Sequence, residues 1–115
     1  MTEADPKLLA DVATGLWRAG NRLDGAAGDQ AAAALRHVRR TVDVLAEAGV
    51  QLVDHAGADF SAGVALDVVA FQEDPALSRE TVIEVVRPSV YVNGVLIQRG
   101  AVIVGTPGVD SGERT

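Results

Sequence analysis

The amino-acid sequence changes character at Gly49, and no other feature limits the fold as strongly. Before that glycine, alanine, arginine and aspartate dominate; after it valines crowd in, and β-branched side chains favour pleated sheet over helix. Helices first and strands second define an α+β chain. The expected layout is a helical hairpin over residues 1–49, a small β-rich head over 50–104 and a flexible tail over 105–115. A length of 115 residues leaves room for one ordinary domain, or one domain with an extension.

The core has to be built from small side chains. Apolar residues make up 48% of the chain but aromatic ones only 3%, namely Trp17, Phe60, Phe71 and Tyr91. Alanine, valine and leucine then carry the burial, and each offers little area. Such a core gains from a second subunit.

Asp5-Pro6 is a good helix start: the Asp5 carboxylate can accept a bond from a free backbone N–H, and Pro6 in the first turn loses none. Leu8, Leu9, Val12, Leu16, Ala19 and Leu23 then recur at threes and fours. Gly15 and Gly20 weaken this helix by up to ~1 kcal/mol each against alanine. Residues 24–28 read as a loop and Asp29 as the cap of a second helix. There Ala31, Leu35, Val38, Val42 and Leu45 form a heptad-like seam that ends at Gly49. That helix is about 19 residues, or roughly 28 Å, long. Its seam is too narrow to be a globular centre. Either Leu35, Val38, Val42 and Leu45 form a homodimer interface, half of a four-helix bundle, or the hairpin packs on its own sheet. The dimer is the expectation here.

After Gly49, strand signals come at Val50–Asp54, Val64–Glu73, Thr81–Val86 and Ala101–Val104. In the second, Leu66, Val68 and Ala70 alternate with Asp67, Val69 and Phe71. Val90–Val92, Asn93-Gly94 and Val95–Ile97 give the sharpest local signal, because both turn residues tolerate the positive φ of a two-residue hairpin.

The chemistry is thin. Ten basic against sixteen acidic residues give a net charge of −6, which argues against nucleic acid or an anionic membrane as main partner. Zero cysteines exclude disulfides and thiolate chemistry, and only His37 and His55 are available as imidazoles. No apolar run approaches the ~20 residues of a membrane span, and the start is acidic, so a cytoplasmic protein is expected. Asp54, His55 and Asp59 have a metal-ligand flavour but read better as solvated loop residues. Asp67 and Glu84 could face one another as an acid–base pair, though outward positions of two strands explain them more simply. Arg36, Arg39 and Arg40 make a solvated basic spot on the second helix. The glycines at 57–63 and 105–108 fit no nucleotide fingerprint. No catalytic residue, metal site or cofactor is expected; the chain does not read as an enzyme.

The order of the pieces resembles the GrpE family, the nucleotide exchange factors of DnaK-type chaperones. Val44-Leu45-Ala46-Glu47-Ala48-Gly49-Val50-Gln51-Leu52 is similar to that family's helix exit, and Phe60 stands in its following loop. Thr81-Val82-Ile83-Glu84-Val85-Val86-Arg87, Asn93-Gly94 and Leu96-Ile97-Gln98-Arg99-Gly100-Ala101-Val102-Ile103-Val104 match its strands and turn in order and spacing. Leu8-Leu9-Ala10-Asp11-Val12 through Leu23 is similar to the first bundle helix. The resemblance covers residues 7–104. Departures are plain: Ala65 replaces a histidine, Ser89 a glycine and Gln98 an arginine, with Arg99 where a proline would be. The loop prolines around Phe60 are Asp59 and Ala62, and the family's long N-terminal stalk helix has no counterpart in this sequence.

The resemblance implies a mechanical role: a homodimer that presents its β-domain to the nucleotide-binding domain of a DnaK-type chaperone and opens the cleft for ADP. By position it implies a partner face of Val86, Arg87, Asn93, Gly94, Val95, Gln98, Arg99 and Val104. Val86 and Val104 could equally be core residues. A dimeric adaptor without exchange activity is the alternative, motivated by the changes at Ala65, Ser89 and Gln98.

Overall fold

A computed structural model describes residues 4–61 and 64–107. Two helices, α1 (Pro6–Leu23) and α2 (Asp29–Glu47), precede six strands: β1 (Val50–Val53), β2 (Leu66–Glu73), β3 (Thr81–Arg87), β4 (Ser89–Val92), β5 (Val95–Gln98) and β6 (Gly100–Thr106). The strands form two three-stranded sheets, ordered β1-β4-β5 and β2-β6-β3. The fold is α+β, as the break at Gly49 predicts. The division into compact units falls elsewhere: residues up to Val53 join Ser89–Gln98 in one unit, and Asp54–Pro88 join the chain from Arg99 onward in the other. The expected boundary at 49/50 thus separates pieces that pack together. Strand β1 and the β4–β5 hairpin belong with the helices.

In the helical unit, Asp5 caps α1 by accepting the Lys7 backbone N–H at 3.0 Å, with Pro6 in the first turn. Helix α2 begins one residue earlier than a side-chain cap would place it. Gly28, at φ 105°, is its N-cap, and Asp29 lies in the first turn, where its charge favours the helix N-terminus. Ala10 and Ala13 of α1 pack with Val50 of β1 and with Val90 and Val92 of β4, and Leu9, Leu45, Leu52 and Ile97 fill the margins. The register explains the valines: Val50 is opposite Val92 and Leu52 opposite Val90, so alternate residues share one face. Alanine at the contact lets the helix approach the sheet closely.

The β4–β5 turn is the two-residue type, with Asn93 at φ 49° and Gly94 at φ 82°. It is tied to the end of α2, because the Asn93 N–H donates to the Gly49 carbonyl at 2.8 Å. Gly49 itself sits at φ 95°, and a Cβ there would run into the Asn93 side-chain amide.

In the second unit, β6 lies between β2, parallel to it, and β3, antiparallel to it. Leu66, Val82, Val102 and Val104 are buried together, with Phe60, Val68 and Val85 against them. Phe60 and Phe71 meet edge to face at 6.3 Å. The simple alternation expected in β2 does not hold, because the register shifts between Val68 and Ala70. The extra residue reverses the phase of the strand. Phe71 pairs with Val104 and joins the side of Leu66 and Val68, while Ala70 pairs with Ile103 on the side of Asp67. Gly105 and Thr106, expected in the tail, belong to β6; residues 108–115 of that tail lie outside the described residues.

Gly49→Ala is expected to cost about 1–2 kcal/mol in urea unfolding, from positive φ and overlap together. Asn93→Gly in that background should recover only the overlap part. Unchanged stability of the single variant would contradict the geometry at this junction.

Candidate functional site

The β2-β6-β3 sheet gathers three charged side chains at one end. Asp67 and Arg87 are both opposite Ala101, one on each side of β6, so the three residues form a row on one face. Alanine in the middle leaves room for the arginine to cross. Arg87 Nη2 donates to Asp67 Oδ2 at 3.2 Å, and Arg99 Nε donates to Asp67 Oδ1 at 2.8 Å. Arg87 Nε donates to the Arg99 carbonyl at 2.9 Å, and Arg99 Nη2 to the Leu66 carbonyl at 3.1 Å. One carboxylate is thus shared by two guanidinium groups, whose side chains are 40% and 48% exposed.

The resemblance-based partner residues divide between the units. Val86, Arg87, Arg99 and Val104 lie in the sheet unit; Asn93, Gly94, Val95 and Gln98 lie in the helical unit. Val86 is 41% exposed and Val95 60% exposed, both large apolar side chains left facing solvent. Asn93 and Gly94 are exposed at the hairpin tip. Val104 is a correction: it is fully buried at the centre of its sheet, paired with Val82 and Phe71, and cannot meet a partner. Gln98 is half-buried, and its Nε2 donates to Thr14 Oγ1 at 2.9 Å. Thr14 is buried on α1, so this amide holds helix to sheet within the chain. Beside the hairpin, Leu9, Val92, Asn93, Val95 and Ile97 line an open apolar groove of about 450 Å³.

The other candidates are not gathered into sites. Asp54 Oδ1 accepts its own loop's Ala56 N–H at 2.9 Å, and Asp59 pairs with Arg79 at 3.0 Å. Among the described residues no group of three or more His, Asp or Glu side chains is placed to hold a metal. Asp67 and Glu84 stand on strands separated by β6, two strand spacings or ~9.6 Å apart, and Asp67 is engaged by the two arginines. Arg39 reaches Asp24 at 3.9 Å across exposed side chains, a contact worth little in water.

The seam of α2 faces inward in part. Leu45 packs against the cluster formed by Ala10, Ala13 and the β-valines, and Val38 Cγ1 lies 3.6 Å from where a Cβ on Gly20 of α1 would be. Leu35, Val38, Val42 and Leu45 are all half-buried in the single chain, and no described residue of α2 is fully buried. The apolar side chains left most open on the hairpin are instead Leu8 and Val12 of α1 and Val44 of α2.

Asp67 as the partner of two arginines was not legible in the sequence. The bulge that aims Arg87 has no residue signature here, since neighbouring valines fit either phase. No helix among the described residues is long and apolar enough to cross a membrane. Compared with known protein families and with curated proteins, the chain matches none of them.

Gln98→Leu is expected to lower unfolding stability by about 1 kcal/mol, since Thr14 then keeps a buried hydroxyl without this donor. The loss should largely vanish in a Thr14→Val background, and additive losses in that double-mutant cycle would contradict the coupling.

Proposed function

We propose that the protein is a GrpE-like nucleotide exchange factor, which binds the nucleotide-binding domain of a DnaK-type chaperone through its β-strands and promotes ADP release. The observation that carries this reading is the run of a helical hairpin into two small sheets in the order the resemblance implies. Supporting it, Val86 and Arg99 in the sheet unit and Asn93, Gly94 and Val95 at the hairpin are exposed, and Arg87 is half-buried. Such a protein works by binding the open cleft better than the closed one, a shift of populations that needs no catalytic group. A tenfold preference takes about 1.4 kcal/mol of differential contact. Exposed valines and a few polar anchors supply that. The place of action is the cytoplasm, with the chaperone.

At micromolar concentration the protein should accelerate release of labelled ADP at least tenfold from a DnaK-type chaperone encoded beside its gene, followed by stopped-flow fluorescence. No acceleration with any such partner sinks the reading. One observation favours an adaptor as the second reading. Gln98, where the family has an arginine, turns inward to Thr14 instead of outward. A stable complex by size exclusion with an unchanged ADP off-rate would select it.

The hairpin completes a four-helix bundle with a second copy. Supporting this, Leu35, Val38, Val42 and Leu45, the seam expected at the interface, are only half-buried in the single chain, and Leu8, Val12 and Val44 beyond that seam are exposed. Val12→Asp is expected to give a folded monomer by light scattering and circular dichroism. A monomeric parent protein contradicts the bundle.

A further inference from the structure

We infer that Arg87 and Arg99 form a receptor for a carboxylate side chain of the protein partner, with Asp67 as the residue that positions both guanidinium groups. Only the partner's identity rests on the exchange-factor reading; the receptor's chemistry is read from this sheet.

Charge comes first. Two guanidinium groups share one carboxylate, which leaves one positive charge on a protein whose net charge is −6. Glu84 lies in the next row of the same face, opposite Ile103, and forms no ion pair among the described residues. Counting Glu84, the charges of this face balance, so what remains for a partner is donor capacity rather than net charge. A guanidinium carries five N–H donors in a fixed fork. Arg87 commits Nε and one N–H of Nη2, and Arg99 does the same, so most of both forks remains open to a further acceptor.

Geometry comes second. In an uninterrupted β3, Glu84 and Val86 would share one face, and Val85 and Arg87 the other. The register shift between Val85 and Arg87 breaks this pattern. Val86 becomes the extra residue, and Arg87 is delivered to the face of Asp67. Bulges cost ladder bonds, and this one turns a cation toward a second cation with a single carboxylate between them. Such an arrangement is a poor way to gain stability, because the exposed pairs contribute little. It does hold two planar forks in place at their inner edges, leaving the outer ones for a planar acceptor. Two planar forks match a planar carboxylate, and exposed Val86 beside them offers an apolar margin. A protein surface bearing an aspartate or glutamate is the occupant that fits.

The test uses the full chain and side-chain NMR of the arginine Nε–H groups. Titration with a triglutamate peptide should shift Arg87 and Arg99 selectively, and raising salt should weaken the effect. Arg99→Gln should abolish the Arg87 shift. Asp67→Asn is the decisive variant: it raises local positive charge, so simple attraction predicts tighter peptide binding. The positioning role predicts at least threefold weaker binding, with the fold checked by thermal melting. Tighter binding to Asp67→Asn overturns the positioning role, and no arginine shift with the peptide overturns the receptor. Inorganic phosphate shifting these arginines while the peptide does not also overturns the carboxylate assignment. A separate arm measures the chaperone. Arg87→Gln with Arg99→Gln should weaken its binding about tenfold. If ADP release is accelerated equally by parent and double variant, the receptor falls and the exchange reading stands. Peptide shifts without any acceleration of ADP release leave the receptor standing and remove the exchange reading.

Discussion

Strand β6 is the element against which one whole unit is registered. Its Val102 and Val104 are fully buried, and both neighbouring strands set their phase by pairing with them. Val82 pairs with Val104, and Val68 and Val85 flank Val102, so these valines make the core of the sheet, while Phe71 on the other side of Val104 stays exposed. The opposite face, through Ala101, carries the Asp67–Arg87 row. A shift of one residue in β6 would exchange the two faces at once. The irregularities of β2 and β3 are adjustments made around this fixed strand.

How far the residues themselves announce this differs along the chain. The helices are legible because Asp5-Pro6, the threes-and-fours of Leu8 to Leu23 and the stop at Gly49 are local signals. The Asn93-Gly94 hairpin is legible for the same reason, since its backbone angles are demanded within two residues. The phase of β2 and β3 is not. Val68-Val69 and Val85-Val86 offer two adjacent identical side chains, and only pairing with a distant strand decides which one is extra. Burial of Val104 and the inward turn of Gln98 are hidden likewise, because each depends on a partner far away in sequence. The compact units follow suit: β1 reads as the start of a head, yet its Val50 packs with Ala10, Ala13 and Val92.

The proposed partner residues are surface side chains in each of the two units. They include valines held outside the core and arginines held by backbone carbonyls and one carboxylate. Under the proposed reading, contacts of this kind would have only to discriminate between two shapes of a partner. Poverty in histidine and cysteine does not limit recognition by shape and charge.

The route of the backbone has a consequence of its own. The chain passes from one unit to the other after Val53, returns at Ser89, and leaves again after Gln98. Neither unit is a continuous stretch of polypeptide, so neither is available as a simple fragment by truncation at a single point. A nick between β1 and β2 severs one connection and leaves the others in place. During synthesis, the helices and β1 emerge well before the β4–β5 hairpin that completes their core. The first half of the protein therefore waits for the β4–β5 hairpin to complete its core.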